Sequence, residues 1–142
     1  MAYADENPMT FIMDQDIYPQ STPLELRWMP TKTIYDPCPE GYRVPDGGRY
    51  GFWHTSRIEV KLSPEGNGVY WTLADGSMAW YPCTGIIHCT TADLSHVAEW
   101  GMYWASTIPD YYLSAHCLHT SGDNPDESVN RGHGQSVRCV RE

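Results

Sequence analysis

Long apolar runs, basic charge and closely spaced cysteine pairs are all scarce in this chain of 142 residues. No stretch approaches the roughly 20 apolar residues of a membrane-spanning helix, so no transmembrane segment is expected. The chain has 9 Lys+Arg against 18 Asp+Glu, a formal net charge of −9. Because this charge repels a phosphate backbone, nucleic acid is not expected as a partner. The absence of a Cys-x-x-Cys pair argues against a zinc ribbon or a thioredoxin-type motif.

The chain is nevertheless rich enough in apolar and aromatic residues to form a core. It is 41% hydrophobic and 13% aromatic, which predicts one globular domain over residues 1–142. Prolines break any helix in residues 1–30, so this part is expected to be an extended segment wrapped on the domain. Few lysines, many Tyr, Trp, Gly and Pro, and scattered cysteines indicate an extracellular protein.

The middle of the chain predicts a strand followed by a β-hairpin. "SRIEVKL", residues 56–62, alternates apolar and charged residues, as a half-exposed strand does. Asp75-Gly76 then stands between two alternating runs and favours a two-residue type I′ turn. Counting outward from that turn predicts three facing pairs, of which Trp71 and Trp80 are expected to lie in the core: Leu73 with Met78, Trp71 with Trp80, and Tyr70 with Tyr81.

The last third of the chain predicts further strands. "GMYWAST" and "YYLSAHCLHT" indicate two antiparallel strands joined across Pro109-Asp110, with Cys117 on the inner face. The run Ser136–Arg141 alternates with period two and predicts a half-buried closing strand. "TTADLSHVAEWG" fits a helix or an irregular strand equally well. Together these segments predict a loop-rich, mostly antiparallel α+β domain.

Four motifs resemble the FISUMP-type major paralogous domain of surface lipoproteins and fimbria-associated proteins of gut Bacteroidota: "KTIYDPCPEGYRVPDGG", "WYPCTG", "GMYWAST" and "GQSVRCVRE". The resemblance covers about residues 31–142. It implies a C-type-lectin-like α+β fold, with small twisted antiparallel sheets, short flanking helices and long loops. It also implies a bacterial cell-surface location and a Cys38–Cys139 disulfide. Such a bridge closes a loop of about 100 residues, for which the chain-entropy model gives about 4–5 kcal/mol.

Three further cysteines depart from the family pattern. Cys83 stands where the family has alanine, and Cys89 and Cys117 are additional. Three cysteines cannot all pair within one chain, so one of them is a thiol or forms an intermolecular bridge. We expect Cys83 to bond Cys117, with Cys83–Cys89 as the alternative.

A second resemblance concerns "PDYYLSAHCLHTSGDNPDESVNRGHG". Its composition, before a "GxSVRC" strand, is similar to that of variable proteins of diversity-generating retroelements, whose diversified surface binds partner proteins. Tyrosine, asparagine and histidine are low-entropy contact residues of the kind that paratopes use. The expected ligand-binding residues are Tyr111, Tyr112, His116, His119, Asn124, Asp126, Asn130 and His133. Trp100 and Trp104 could extend this patch by stacking on sugars, although burial in its strand is the favoured interpretation for Trp104.

Metal and catalytic sites find less support in the sequence. His116 and His119 would point to opposite faces of a strand, which argues against zinc. His88-Cys89 resembles a nucleophile, but a cysteine protease needs a base across space and no local signature supplies one. Calcium would need converging oxygen ligands, and the nearest candidates, Glu6–Pro8 and Asp123–Asp126, are better explained as solvated turns. We therefore expect no catalytic residues, no metal and no cofactor.

These patterns predict an extracellular ligand-binding domain, an adhesin or display module that recognises a protein or a carbohydrate at a surface, and not an enzyme. One alternative is a structural or assembly subunit of a fimbria, which would depend on its strand edges and on residues 1–30. The other alternative is a diversified variable protein of a retroelement.

Overall fold

The computed structural model describes residues 31–32, 36–55, 57–107, 114–120, 127–130 and 132–142. Ten strands and one short helix occur in these ranges: β1 (Tyr42–Arg43), α1 (Phe52–Thr55), β2 (Arg57–Leu62), β3 (Gly68–Leu73), β4 (Met78–Pro82), β5 (Ile86–Ile87), β6 (Leu94–Ser95), β7 (Met102–Trp104), β8 (Ser114–His119), β9 (Glu127–Asn130) and β10 (Val140–Arg141). They form four small antiparallel sheets, β1–β10, β2–β3–β4, β5–β6 and β7–β8–β9.

The predicted fold class, a C-type-lectin-like α+β domain with flanking helices, is wrong. The described part of the chain is nearly all sheet, and α1 has only four residues. The segment that fitted a helix or a strand, residues 90–101, contains β6 and turns instead. His96 and Ala98 there have positive φ, at 55° and 66°, which interrupts any helix. A weak helical spacing over a few residues was therefore overridden by pairing with β5.

The β2–β3–β4 meander confirms the predicted strand and the predicted hairpin, but the predicted register is wrong. The loop has three residues: the Leu73 N–H donates to the Ser77 carbonyl (2.9 Å), and the Gly76 N–H donates to the Leu73 carbonyl (2.9 Å). The loop therefore begins at Ala74, one residue before the predicted Asp75-Gly76 pair, and Gly76 closes it with a φ of +82°. Each pair shifts by one residue: Tyr70 faces Trp80, Trp71 faces Ala79, and Thr72 faces Met78.

The main core lies between this meander and strands β7 and β8. Trp53, Trp71 and Tyr81 are buried, and the Trp53 indole N–H donates to the Tyr81 hydroxyl at 3.0 Å. The predicted burial of Trp71 is confirmed, while Trp80 is half-buried beside Tyr70, with ring centroids 4.9 Å apart. Aromatic side chains of the inner faces therefore fill the space between the two sheets.

A second, smaller core cluster joins the β7–β8–β9 sheet to β5. It contains Ile86, Met102, Trp104 and Cys117. The predicted antiparallel pairing of the two strands is confirmed, because Trp104 of β7 lies opposite Cys117 of β8. Burial of Trp104 removes it from the set of surface residues that could extend a binding patch.

The Cys38–Cys139 disulfide is present, as the family resemblance implied. The two Cα atoms are 5.7 Å apart across a sequence separation of 101 residues. Next to it, Tyr42 pairs with Arg141 in the β1–β10 ladder. The closing strand is shorter than predicted, since only Val140–Arg141 pairs and Ser136 instead makes an isolated bridge to Tyr103.

The expected Cys83–Cys117 bridge is wrong, and so is the Cys83–Cys89 alternative. All three residues are thiols in the structure. The Cys83 sulfur lies 3.6 Å from the Thr120 hydroxyl, whereas Cys117 packs in the second core cluster. The two buried sulfurs therefore face different surroundings, and only Cys89 of the three is partly accessible to solvent.

Candidate functional site

The predicted ligand-binding residues fall only partly within the described residues. Tyr111, Tyr112, Asn124 and Asp126 lie outside them. So do the oxygen-rich segments considered for calcium, Glu6–Pro8 and Asp123–Asp126. For His116 the structure describes the strand position, opposite Ser128 in the β8–β9 ladder. For His119, Asn130 and His133 the structure describes both the position and the surrounding residues.

His119 does not lie with Asn130 and His133. Asn130 pairs with Ser114 at the start of β8, and His119 ends the same strand. Five residues of antiparallel strand span about 17 Å. The predicted patch is therefore divided between the two ends of the β8–β9 ladder.

At its own end, His119 belongs to a stack of rings. The Trp100 ring meets His119 edge to face, with centroids 5.3 Å apart, and lies parallel to His96 at 3.5 Å. His96 in turn contacts a carboxylate oxygen of Glu99 at 3.1 Å. Because His96 covers one face of Trp100, that face is not available for stacking on a sugar.

At the other end, a tight turn after β9 positions His133. The Asn130 side-chain oxygen accepts the Gly132 N–H at 2.8 Å, and the His133 N–H donates to the Asn130 carbonyl at 3.1 Å. Gly134 then forms two hydrogen bonds with Ile87 of β5, at 2.8 and 2.9 Å. A Cβ on residue 132 would lie 2.9 Å from the Cys89 Cβ, so glycine is what permits this approach.

The facing loop joins β5 to β6 and positions His88 and Cys89. The His88 N–H donates to the Asp93 carbonyl, and the Ala92 N–H donates to the His88 carbonyl, both at 2.9 Å. Ala92 has a φ of 58°, which turns the chain back into β6. The Thr90 hydroxyl lies 2.9 Å from His88 Nδ1 and fixes the orientation of this ring.

These two loops bring two imidazoles and a thiol together. One donor atom each from His88, Cys89 and His133 can be chosen so that all lie within 4.8 Å of one another. The Cys89 backbone N–H donates to His133 Nδ1 at 3.1 Å, and the Cys89 sulfur lies 4.0 Å from His133 Nε2. The ring centroids of His88 and His133 are 5.1 Å apart, and all three residues are half-buried.

The electrostatic surroundings of His133 favour the neutral form of its ring. Burial lowers the pKa of His133, and the neighbouring His88 lowers it further, against the opposite effect of a hydrogen bond with the Ile87 backbone. A neutral imidazole that accepts a hydrogen bond at Nδ1 carries its proton on Nε2. His133 Nε2 lies 4.0 Å from the Cys89 sulfur.

The sequence did not predict this cluster. No local signature supplies His88-Cys89 with a base across space, whereas the structure places His133 next to it. The signal lay in "GHG", residues 132–134, where glycines on both sides of a histidine allow close approach to another segment. Which segment it approaches depends on the Ile87–Gly134 bridge, which no local pattern shows.

The chain matches no known protein-family model, no curated protein and no solved structure. The resemblances to FISUMP-type domains and to retroelement variable proteins therefore stay predictions from the quoted motifs. In the described ranges, no helix has the length and apolar character needed to cross a membrane.

Proposed function

We propose that the chain is an extracellular ligand-binding domain that recognises a protein or a glycan at a surface through residues 109–134. The disulfide supports a non-cytoplasmic compartment, because structural disulfides persist where the surroundings are oxidising. The surface location and the role as an adhesin or display module rest on the motif resemblance.

The observation that carries the proposal is the firm attachment of β8, from which the predicted contact residues extend. Cys117 and Leu118 on this strand are fully buried, and β8 is hydrogen-bonded on both edges, to β7 and to β9. Residues just before the segment are also fixed, since the Ser106 N–H donates to the Pro45 carbonyl at 2.8 Å. A rigid support lowers the ordering cost of binding.

The composition of the segment supplies the contact chemistry. Tyr111 and Tyr112 precede β8, and Asn124 and Asp126 follow it. Tyrosine offers a large amphipathic surface with few rotatable bonds, and asparagine offers adaptable hydrogen bonding. Residues of this kind attached to both ends of a fixed strand suit reversible recognition of a macromolecular surface.

The test is binding of the purified, oxidised domain to an array of glycans and extracellular proteins. Three proteins are compared: the wild type, the Tyr111→Ala/Tyr112→Ala variant, and Tyr50→Ala as a control that removes an exposed tyrosine outside the segment. We expect hits that the double variant loses and the control keeps, in calcium and in a calcium-selective chelator alike. Hits that survive in the double variant would place recognition elsewhere, and a blank array would contradict the proposal.

A further inference from the structure

We propose that His88, Cys89 and His133 form a binding site for a divalent transition-metal ion of the zinc class. The inference goes beyond the recognition function and does not rest on it. Two imidazole nitrogens and one thiolate sulfur are ligands that zinc prefers, whereas calcium and magnesium prefer oxygen. The proposed site uses His133, which the sequence analysis expects to contact a ligand, as a metal ligand.

The distances between the donor atoms fit such an ion. With zinc–sulfur and zinc–nitrogen bonds of about 2.3 and 2.0 Å, neighbouring donors in a tetrahedral site lie roughly 3.3–3.6 Å apart. The chosen donors of the three residues lie within 4.8 Å of one another, and the Cys89 sulfur is 4.0 Å from His133 Nε2. Closing the site therefore requires shifts of about 1 Å, which side-chain rotations can supply.

The backbone holds the ligands in place before a metal arrives. The turn that carries His133 and the loop that carries Cys89 are tied by the two hydrogen bonds between Ile87 and Gly134. Gly132 allows the two loops to pack with almost no space between them. Ligands held on hydrogen-bonded segments lose little conformational freedom when the ion binds.

Thr90 provides a partner for the ring of His88. Its backbone N–H donates to His88 Nδ1 at 3.4 Å, and its hydroxyl lies 2.9 Å from the same nitrogen. Ligation through Nε2 places the ring proton on Nδ1, where the hydroxyl can accept it as a hydrogen bond while the longer contact with the Thr90 N–H is lost. His88 Nε2 then keeps its lone pair for the metal. Ligating histidines commonly use their second nitrogen in this way, and loss of the partner weakens metal binding about 10- to 100-fold.

Metal binding changes the hydrogen bond between Cys89 and His133. Without metal, His133 Nδ1 accepts the Cys89 backbone N–H, so the ring proton is on Nε2. Ligation through Nε2 requires that proton on Nδ1, where it would meet the Cys89 N–H. The hydrogen bond from the Cys89 N–H to His133 Nδ1 therefore breaks when the metal binds. Either the His133 ring flips, or Nδ1 itself becomes the metal ligand.

The proton balance and the coordination number follow from the donor set. Cys89 binds as a thiolate, so any proton on its sulfur is released to solvent. Three protein ligands leave one tetrahedral position for water or for an external ligand. All three residues are half-buried, so solvent reaches part of the cluster.

The test uses cobalt(II) as a spectroscopic substitute for zinc in the purified chain, after its disulfide and free thiols have been counted. We expect one equivalent to produce a cobalt–thiolate charge-transfer band and tetrahedral visible bands, and zinc to displace both. In ¹⁵N-labelled protein the Cys89 amide signal should move on addition of zinc. Circular dichroism of each variant confirms that it folds.

The variants separate a built site from incidental binding. Cys89→Ser should abolish the charge-transfer band, although the thiols of Cys83 and Cys117 remain. His88→Gln and His133→Gln should weaken binding by more than about 100-fold, and Thr90→Val by about 10- to 100-fold. His96→Gln, a half-exposed histidine outside the cluster, should change nothing.

Two kinds of result would overturn the inference. One is the absence of the cobalt–thiolate band in the wild type, or its survival in a folded Cys89→Ser variant. The other is a purified protein whose Cys89 is consumed in an intermolecular disulfide, seen as a non-reducing dimer that Cys89→Ser abolishes. Neither result depends on the binding array, so each is distinguishable from a failure of the proposed function.

Discussion

Removal of the Cys38–Cys139 bridge should destabilise the domain more than removal of any other single feature of its termini. The bridge spans a sequence separation of 101 residues, and the chain-entropy model gives about 4–5 kcal/mol for a loop of that length. A domain of this size typically unfolds with about 5–15 kcal/mol. Apart from the disulfide, β10 is joined to β1 by two residue pairs, and the Glu142 N–H donates to the Gly41 carbonyl at 3.1 Å. The Cys38→Ser/Cys139→Ser variant should therefore be marginally folded or unfolded at room temperature.

Urea unfolding followed by tryptophan fluorescence measures this loss, since Trp53 and Trp71 are both buried and will report exposure. The double variant should show a free energy of unfolding lower by about 4–5 kcal/mol. Its m-value should be larger, because the unfolded chain is no longer cross-linked. Cys89→Ser is the matched control and should stay within about 0.5 kcal/mol of the wild type. A loss below about 1 kcal/mol in the double variant would refute the reasoning.

Two further predictions concern stability. Asp36→Asn should lower the free energy of unfolding by about 1–3 kcal/mol, because the buried carboxylate accepts the N–H groups of Cys38 and Val44 at 2.8 and 3.0 Å. Burial acts to raise the pKa of Asp36, but these hydrogen bonds and Lys32 together lower it, so the stabilisation is present above about pH 4 and lost as the pH falls through the folded-state pKa. Urea unfolding of both proteins from pH 7 to pH 2 should show the difference shrink in acid; a difference independent of pH would contradict this. Gly132→Ala should destabilise by about 1–3 kcal/mol, since its Cβ would lie 2.9 Å from the Cys89 Cβ; an unchanged urea midpoint would show that the two loops are not packed as described.

Local patterns predicted the strands well because each pattern lies within a few residues. The alternation in residues 56–62 became β2, and the alternation before and after Pro109-Asp110 became β7 and β8. The register of the hairpin was missed because Asp75-Gly76 suits a two-residue loop and also a three-residue loop with Gly76 at positive φ. The choice between them depends on which faces of β3 and β4 meet the core, which is a tertiary property.

The candidate sites likewise divide into features that sequence motifs predict and features that depend on tertiary contacts. The Cys38–Cys139 bond followed from a resemblance of motifs at both ends of the chain. The contact of His133 with Cys89, across 44 residues, depends on a bridge between β5 and the turn after β9. The predicted patch wrongly grouped His119 with Asn130 and His133, because nearness in sequence was taken for nearness in space. Asn130 pairs with the first residue of β8, and His119 is the last residue of that strand.

The most direct test of the central claim, recognition through residues 109–134, is the dissociation constant for the strongest array ligand. Truncation of one aromatic hot spot typically costs at least about 2 kcal/mol, which is roughly a 30-fold loss of affinity. The Tyr111→Ala/Tyr112→Ala variant should therefore bind at least about 30-fold more weakly than the wild type, with the same unfolding midpoint. Tyr50→Ala should bind as the wild type does. Equal affinity of the double variant and the wild type would contradict the claim.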